Sequence, residues 1–354
     1  MSLRDKLKKN TIVSEADFIN NSEVYNVGDP ISTYVPCLNI ALSGELDGGI
    51  YPGVTMVAAP SKHFKSALAL TMAKAYLDKY DDSMLLFYDS EFGTPPSYFE
   101  SFGIDMNRVF HVPLKDVENL KADFMNQVEA LDKNDHLIVI LDSLGQLPSV
   151  KEINDSLKGN AETVDMTRAK QIKSFFRMIN TRIVMKKIPI IVVNHVYSTL
   201  DMYSKPKQSG GSGGEYTPNS TIYISRSTEK DKTSKEVLGY TFKMSVEKSR
   251  FVKEGSVLPL QVSYNGGINK YSGLLELAIE AGFVDNSKQG WYAKIDQDTG
   301  EIQKSVRRND TNSDEFWKDI INDKKFKKFV SEKFKMKSVK MLSDEEINET
   351  FKEE

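Results

Sequence analysis

Cysteine is nearly absent from this sequence, which has 354 residues and a single cysteine, Cys37. One cysteine cannot form a disulfide within the chain and cannot provide the ligand set of a cysteine zinc site. The histidines are also too scattered for a metal site, because they lack metal-ligand spacing (His63, His111, His136 and His195). We therefore expect a protein of a reducing, cytoplasmic compartment, without a disulfide framework.

Long hydrophobic runs and an excess of basic charge are missing as well. No run is long enough to span a bilayer, and residues 1–9 lack the apolar core of a signal peptide. The 47 basic residues are balanced by 50 acidic ones, so the formal net charge is −3. We expect a soluble protein with no membrane partner. Any contact to nucleic acid has to come from a local patch rather than from a global positive field.

Between residues 35 and 267, apolar runs of strand length alternate with helical stretches. The clearest strands are short and strongly apolar (54–58, 83–88, 137–141 and 188–193). The helical stretches lie between them (67–75, 116–131 and 166–185). This alternation predicts an α/β fold in which a mostly parallel central sheet is flanked by helices. Two later runs predict a hairpin-rich extension (221–224 and 240–246), and a helical, charged region follows.

The segment after the first strand has the spacing of a phosphate-binding loop. Its residues stand in unbroken order (Pro60, Ser61, Lys62, His63, Phe64, Lys65, Ser66 and Ala67). In such a loop the backbone N–H groups surround a triphosphate, Lys65 reaches the outer phosphates and the Ser66 hydroxyl ligates magnesium. Phe64, however, stands where the general motif has glycine. Taken alone, the loop is equally compatible with an ordinary strand–loop–helix connection.

Polar residues also follow the three later strands. Asp142 ends the third strand and, beside a phosphate loop, would orient magnesium through its water shell. Asp89 and Glu91 follow the second, where a carboxylate could polarise the water that attacks a γ-phosphate. His195 follows the fourth, where it could sense that phosphate. Because the carboxyl ends of parallel strands share one sheet edge, these side chains predict a nucleotide site there. Capping residues and solvated loop residues are the alternative interpretation.

A glycine-rich segment follows His195, and it has no acidic residue between Asp201 and Glu215. Such a segment suits a cationic grip on single-stranded nucleic acid that becomes ordered on binding. A flexible surface linker is the alternative, but the position directly after the strand of His195 favours contact with DNA. The residues predicted to bind DNA include lysines, an aromatic and glycines (Met202, Tyr203, Lys205, Lys207, Gly210 and Gly211).

In combination these motifs resemble those of the RecA-type recombinases, and within that family the UvsX recombinases of T-even-like bacteriophages. The resemblance extends from about residue 35 to residue 292. Short segments carry it (36–44, 60–66, 87–93, 141–145, 165–170, 246–250, 271–275 and 290–292). Phe64, which departs from the general loop motif, is typical of the phage proteins. The combination outweighs the alternative interpretation of each separate motif.

The resemblance implies a RecA-like P-loop ATPase core with a mostly parallel central sheet, plus a small α+β or helical C-terminal region. Its parts are an N-terminal oligomerisation segment (1–34), the ATPase core with DNA-binding loops (35–267) and a C-terminal region with an acidic tail (268–354). The implied activity is DNA-dependent hydrolysis of ATP with Mg²⁺. The implied function is strand exchange, in which a filament on single-stranded DNA pairs that strand with a homologous duplex.

The resemblance also implies roles for individual residues of the nucleotide site. Lys65 and Ser66 would hold the phosphates and magnesium, and Asp142 would orient the magnesium. Glu91 matches the catalytic glutamate that activates the attacking water. Tyr98 falls where the family stacks an aromatic ring on adenine, although a core aromatic is the alternative.

Further implied roles concern neighbouring subunits and γ-phosphate sensing. Lys248 and Arg250 match a basic pair that reaches the nucleotide of the adjacent subunit. His195 stands where the bacterial proteins have a glutamine. Imidazole can donate a similar hydrogen bond, but its charge can also change near neutral pH. The N-terminal segment, through Phe18, would pack on the next subunit.

Two DNA-binding loops and several partners follow from the same comparison. One loop would lie at 151–163, before the helix that carries Arg168, and the other at 196–214. Arg168 would itself contact DNA. Partners would be single-stranded DNA, homologous duplex DNA, further copies of the chain in a helical filament or ring, a mediator or loader, and a single-strand-binding protein. The acidic end could dock such a partner or be merely solvated (Asp344, Glu345, Glu346, Glu349, Glu353 and Glu354).

Two other functions stay open at this point. One is a RecA-core ring helicase that moves along DNA, and the other is an ATP-binding filament mediator without strand-exchange turnover. If a phage encodes the chain, the expected location is the cytoplasm of the host cell.

Overall fold

The computed structural model describes residues 1–23, 28–132, 134–159, 166–197, 207–208, 218–230, 234–264 and 267–337. The helices in these ranges are α1 (Leu3–Asn10), α2 (Pro36–Ser43), α3 (Lys65–Lys79), α4 (Pro96–Ser101), α5 (Val117–Ala130), α6 (Val150–Leu157), α7 (Thr167–Met185), α8 (Leu274–Glu280), α9 (Asp314–Asn322) and α10 (Lys324–Phe334). Short 3₁₀ turns occur at Ile19–Asn21, Met106–Arg108, Leu144–Gln146 and Arg308–Thr311.

The strands in the same ranges are β1 (Gly53–Ala59), β2 (Met84–Asp89), β3 (Val109–Pro113), β4 (Leu137–Asp142), β5 (Pro189–Tyr197), β6 (Lys207–Gln208), β7 (Ser220–Lys230), β8 (Val237–Ser249), β9 (Val257–Ser263), β10 (Gly267–Ile268), β11 (Val284–Asp285), β12 (Trp291–Lys294) and β13 (Val306–Arg307). None of the helices in the described ranges combines the length and the apolar content that crossing a membrane requires.

A mostly parallel sheet forms the centre of the molecule, in the order β10-β9-β8-β7-β1-β5-β4-β2-β3, with β6 paired to β5. The strands from β7 to β3 run parallel, whereas β8, β9 and β10 continue the sheet antiparallel. β1 and β4 are buried along their whole length, as expected for strands covered on both faces. The predicted α/β fold with a mostly parallel central sheet is confirmed.

Alternate side chains of the parallel strands enter two hydrophobic clusters, one on each face of the sheet. In β4, Ile138 and Ile140 face the cluster that includes α2 and α3, whereas Val139 and Leu141 face the cluster formed with α5 and α7. This period of two is the geometry of a pleated strand. It explains why the strands are continuous apolar runs in the sequence, since both of their faces meet helices.

The C-terminal region combines helices with a small antiparallel sheet of β11, β12 and β13. Trp317, Phe326 and Phe334 are buried in the same cluster as α2 and α3, so this region packs on one face of the central sheet. The predicted small α+β C-terminal region is confirmed. The division after residue 267 stays a prediction, and β10 extends across it.

The predicted hairpin is present but much longer than expected. β7 and β8 pair antiparallel from Ser220 with Ser249 to Lys230 with Val237. The outer half of β7 is exposed and polar, so its sequence has no apolar signal. At the N-terminus, α1 begins with a capping box in which Ser2 and Asp5 bond each other, and it buries none of its side chains.

Candidate nucleotide site

The phosphate loop and the polar strand ends meet at one edge of the central sheet. The loop connects the end of β1 to the first residue of α3, Lys65, so the helix N-terminus faces the loop and favours an anion there. The strand register aligns Ala59 with His195, and Asp89 with Asp142. Side chains that are far apart in the sequence therefore surround one site, at the carboxyl edge where α/β sheets bind ligands.

Phe64 fits the loop because its backbone takes the left-handed conformation that glycine usually provides. Its φ is 64° and its ψ is 16°. For a residue with a side chain this conformation costs about 1–2 kcal/mol. The ring is not left in solvent, since it stacks on Phe242 with 5.1 Å between ring centroids and an interplanar angle of 19°. The substitution of glycine is therefore accommodated by packing on a strand far along the chain.

Lys65 and Ser66 both point toward the interior of the site. Lys65 is 6% exposed, and its Nζ donates a hydrogen bond of 2.9 Å to the carbonyl oxygen of Pro60. Burial lowers the pKa of Lys65, while the charges of Glu91 and Asp142 oppose that shift. The Ser66 hydroxyl donates a hydrogen bond of 2.5 Å to Oδ2 of Asp142. The two residues predicted to hold magnesium are thus in direct contact.

The surroundings of Asp142 fit a divalent cation. Asp142 is 3% exposed, and burial raises the pKa of its carboxyl group to about 6 from an ordinary value of 3.8. No described residue donates a hydrogen bond to the buried Oδ1 atom. Within the described ranges no group of three or more His, Cys, Asp or Glu could hold a metal by itself. A magnesium ion at this position would be held by Ser66 and Asp142 together with phosphate oxygens and water.

Glu91 is held by two neighbours at the same carboxylate oxygen. Its Oε1 atom accepts a hydrogen bond of 2.5 Å from the Ser143 hydroxyl and also contacts Nε2 of His195. The hydrogen bond from His195, with a smaller contribution from Ser143, keeps the pKa of Glu91 below its usual range, although burial opposes this. The carboxylate is therefore ionised at neutral pH, which is the state that a general base requires.

Asp89 shapes the turn that presents Glu91 instead of facing the site as a second base. It is 4% exposed, and its Oδ1 accepts hydrogen bonds from the backbone N–H groups of Glu91 and Phe92 at 3.0 and 2.7 Å. Ser90 joins this turn to β4, because its hydroxyl donates to the Ser143 carbonyl at 2.7 Å. Sequence reasoning missed Ser90 and Ser143; their positions beside Asp89 and Asp142 are the signal that could have found them.

Tyr98 lies on α4, beyond the end of β2. It is half-buried and packs edge-on against Phe102, with ring centroids 5.4 Å apart. Burial and, to a smaller extent, the charge of Asp142 raise the pKa of its hydroxyl. Tyr98 packs on the same hydrophobic cluster as Phe64 of the phosphate loop, and its stacking on adenine stays a prediction.

Lys248, in β8, is level with the middle of β1, and Arg250 is level with its beginning, whereas the phosphate loop follows the end of β1. Lys248 pairs with Thr221, which pairs with Met56, and the N–H group of Arg250 donates to the Asn219 carbonyl at 3.0 Å. The pair is therefore about 10 Å or more along the strand direction from the loop of its own chain. Burial lowers the pKa of Lys248, and the charge of Arg250 adds to this.

The predicted DNA-binding residues are only partly described. The Arg168 guanidinium donates to the backbone carbonyls of Leu147, Leu144 and Gly145 at 2.6, 3.3 and 2.8 Å, so it holds the turn that follows β4. In the first loop, 151–157 are helical in α6, and 160–163 lie outside the described residues. Lys207 is described by its backbone in β6, and the others lie outside the described residues (Met202, Tyr203, Lys205, Gly210 and Gly211). Their DNA roles stay predictions.

Comparisons with known proteins agree with the motifs and the fold. The RecA N-terminal domain matches residues 18–269, and the C-terminal domain of the bacteriophage T4 recombination and repair protein matches residues 271–330. The chain is similar to the recombination and repair protein of Enterobacteria phage T4, at 40% identity over 342 residues, which are 95% of this chain and 87% of the phage protein.

Similarity extends to bacterial proteins at lower identity. Protein RecA of Lactobacillus delbrueckii subsp. bulgaricus is 25% identical over 294 residues, which cover 80% of this chain and 85% of that protein. Protein RecA of Staphylococcus aureus is 23% identical over 287 residues, covering 80% and 79%. The family inferred from the motifs is confirmed. The chain belongs to the RecA family and shares its C-terminal domain with the phage T4 recombination and repair protein.

Proposed function

We propose that this chain is a DNA-dependent ATPase that carries out strand exchange in homologous recombination. The observation that supports this most directly is the meeting of Lys65, Ser66, Glu91 and Asp142 at one sheet edge in a RecA-family chain. A mediator that only binds ATP has no need of an ionised glutamate held beside the phosphate loop. Hydrolysis is therefore part of the proposed activity.

In the proposed reaction the phosphate loop binds the triphosphate of ATP through its backbone N–H groups and Lys65. Mg²⁺, held by Ser66 and oriented by Asp142, would neutralise phosphate charge. Glu91 accepts the proton of the attacking water, and Ser143 fixes the direction of its carboxylate. His195 lies in β5, two strands from β2, and its imidazole contacts the same Glu91 oxygen, so we propose that it responds to the γ-phosphate.

Lys248 and Arg250 are proposed to act on the nucleotide of a neighbouring copy. They are level with the middle and the beginning of β1, so they lie away from the phosphate loop of their own chain, which follows the end of that strand. Cationic groups that arrive from the adjacent subunit stabilise the transferred phosphoryl charge only when the subunits are stacked correctly. Hydrolysis would thereby depend on assembly of a filament or ring.

The N-terminal segment is proposed to join adjacent subunits. The Arg4 guanidinium lies 4.0 Å from the centroid of the Phe18 ring, and Lys8 pairs with Asp17 at 2.8 Å, so α1 is tied to residues 17–18. Leu3 and Leu7 are one helical turn apart and are 72% and 60% exposed. These side chains offer an apolar contact to another copy. We also propose that the chain divides into this N-terminal segment (1–34), the ATPase core (35–267) and the C-terminal region (268–354).

The proposed DNA substrate is a single strand that the protein grips by its backbone while base pairing with a homologous duplex reads the sequence. The glycine-rich segment 196–214 and the loop at 151–163 are the proposed contacts. We also propose that a loader and a single-strand-binding protein are partners of this chain, and that it acts in the cytoplasm of the host cell.

Stimulation of ATP hydrolysis by single-stranded DNA tests this function. The full chain is incubated with Mg²⁺ and ATP, with and without single-stranded DNA, beside the variant Lys65→Ala. We expect hydrolysis that rises with DNA in the unmodified chain and is lost in the variant. Hydrolysis that is independent of DNA, or unaltered by Lys65→Ala, would contradict the proposal. Directional unwinding without strand exchange would identify a ring helicase instead.

A further inference from the structure

Side chains of the β7–β8 hairpin hold the phosphate loop from outside the nucleotide site. Nη1 of Arg226 donates a hydrogen bond of 3.0 Å to the carbonyl oxygen of Lys62, and Phe242 stacks on Phe64. Tyr240 supports both contacts, because its ring centroid lies 4.7 Å from the Arg226 guanidinium and 5.9 Å from that of Phe242. We name Arg226, Tyr240 and Phe242 the loop clamp.

The strand register explains how the loop clamp reaches the loop. Arg226 pairs directly with Phe242 across the hairpin, so their side chains share one face. Tyr223 pairs with Ala58, the residue before the end of β1. Arg226, three residues further along β7, is therefore level with the loop that follows β1.

The loop clamp contacts the loop at its two residues with positive φ. The φ of Lys62 is 59° and that of Phe64 is 64°. Side-chain-bearing residues rarely adopt this backbone conformation, and they hold it only where surrounding contacts enforce it. A hydrogen bond from Arg226 and a stacked ring from Phe242 supply such contacts, one at each position. Glycine would need neither of them.

We propose that the loop clamp consists of positioning residues that hold the phosphate loop in its nucleotide-binding shape before ATP arrives. This inference rests on the proposed function, since it assigns a cause to the affinity of that same site. A loop that is already ordered binds without a further loss of conformational entropy. Loss of the loop clamp therefore raises Kd and KM for ATP. The rate at saturating ATP, which depends on Glu91, is retained.

Titration of the full chain with a fluorescent ATP analogue and Mg²⁺ tests the loop clamp. Phe242→Leu and Arg226→Gln are each expected to weaken binding roughly three- to tenfold, the effect of one lost ring or polar contact. Phe242→Tyr keeps the ring and is expected to restore most of the affinity. Their kcat values at saturating ATP and DNA should stay close to that of the unmodified chain.

Two control variants separate loop positioning from general loss of stability. Phe283→Leu removes a ring from a buried pair in the C-terminal region, where Phe283 and Phe326 have centroids 5.3 Å apart. Lys243→Gln removes a charge from the opposite face of β8. Both are expected to leave the affinity for the analogue unchanged. If Phe283→Leu weakens binding as much as Phe242→Leu at a similar loss of Tm, the loop clamp is contradicted.

A double-mutant cycle gives a readout that a purely structural role would not alter. Phe64→Gly removes the stacked ring and returns glycine to the loop. In that background Phe242→Leu is expected to have no further effect on Kd, because its partner is already gone. Additive effects of the two changes would contradict the loop clamp.

The failure of the loop clamp and the failure of the proposed function are distinguishable. Unchanged affinity in Phe242→Leu and Arg226→Gln, with affinity lost in Lys65→Ala, contradicts the loop clamp and leaves the proposed function intact. An unmodified chain without measurable affinity for the analogue contradicts both.

Discussion

The Ser143 hydroxyl donates a hydrogen bond of 2.5 Å to the Oε1 atom of Glu91, and so joins the end of β4 to the turn after β2. Ser143 directly follows Asp142, the residue proposed to orient magnesium. Glu91, the proposed base, and Asp142, the carboxylate proposed to orient magnesium, are therefore fixed relative to each other through one peptide unit and one hydrogen bond. Ser143 thus positions the Glu91 carboxylate before any nucleotide is bound.

Glu91→Gln is expected to bind ATP but to hydrolyse it about 10²- to 10⁴-fold more slowly, because an amide cannot take the proton of the attacking water. Analogue titration measures binding, and phosphate release in the presence of single-stranded DNA measures turnover. Glu100→Gln, an exposed glutamate on α4, is the matched control and should behave like the unmodified chain. Full turnover in Glu91→Gln would show that another group acts as the base.

Lys65→Ala is expected to weaken ATP binding by at least about tenfold, since a hydrogen bond to a charged group contributes about 1.5–3 kcal/mol. Lys65→Arg should also lose turnover, because a planar guanidinium does not reproduce the compact ammonium that now donates to the Pro60 carbonyl. Lys79→Ala, at the exposed end of the same helix, is the control. Titration with the ATP analogue checks the affinity, and equal affinity in Lys65→Ala and Lys79→Ala would remove Lys65 from the site.

Asp142→Asn is expected to stabilise the nucleotide-free, magnesium-free protein above pH 6. The pKa of Asp142 is about 6 in the folded chain and 3.8 in an ordinary, unfolded environment. The free energy of unfolding of the unmodified chain is therefore greatest below pH 3.8, and it falls as the pH rises from there through about 6. The shift corresponds to about 3 kcal/mol. Denaturant unfolding should show a difference between variant and unmodified chain that grows from about pH 4 to about pH 7. If the difference in the free energy of unfolding between Asp142→Asn and the unmodified chain does not change with pH, the raised pKa of Asp142 is contradicted.

Mixing two inactive variants tests whether Lys248 and Arg250 act between subunits. Lys65→Ala and Arg250→Ala should each lose DNA-dependent hydrolysis. In an equal mixture, roughly a quarter of head-to-tail interfaces would join an intact loop to an intact arginine, so part of the activity should return. A mixture that stays as inactive as its components, although both variants assemble on DNA, would place the arginine outside the neighbouring site.

Replacing Lys205 and Lys207 by glutamine is expected to weaken binding to single-stranded DNA and to flatten its salt dependence. Each lost phosphate contact should lower the slope of log K against log salt by about 0.7. Fluorescence anisotropy over a series of salt concentrations gives this slope. Lys79→Ala serves again as the control for loss of a lysine. An unaltered slope in the double variant would exclude both lysines from the DNA site.

The central sheet and the meeting of its strand ends could be predicted from the sequence because their signal is local. Each buried strand is a continuous apolar run, and the three later ones lead into polar residues such as Asp142 or His195. Since parallel strands share an edge, the order of elements was enough to bring those residues together.

The partners of Lys62 and Phe64 could not be predicted, because they depend on tertiary contacts. Phe242 and Arg226 lie on strands far along the chain, and the outer part of β7 has no apolar pattern to mark it as a strand. The DNA contact of Arg168 stays a prediction, but the sequence could not show that its guanidinium donates to three backbone carbonyls. A charged residue in a sequence does not indicate whether its hydrogen bonds are already used within the fold.

Joint-molecule formation between single-stranded DNA and a homologous duplex is the most direct test of the proposed strand-exchange function. With ATP and Mg²⁺, the unmodified chain should form joint molecules on homologous duplex and none on an unrelated duplex of equal length, and Lys65→Ala should form none on either. Joint molecules that are absent, or equally frequent with the unrelated duplex, while the protein hydrolyses ATP in response to DNA, would contradict strand exchange.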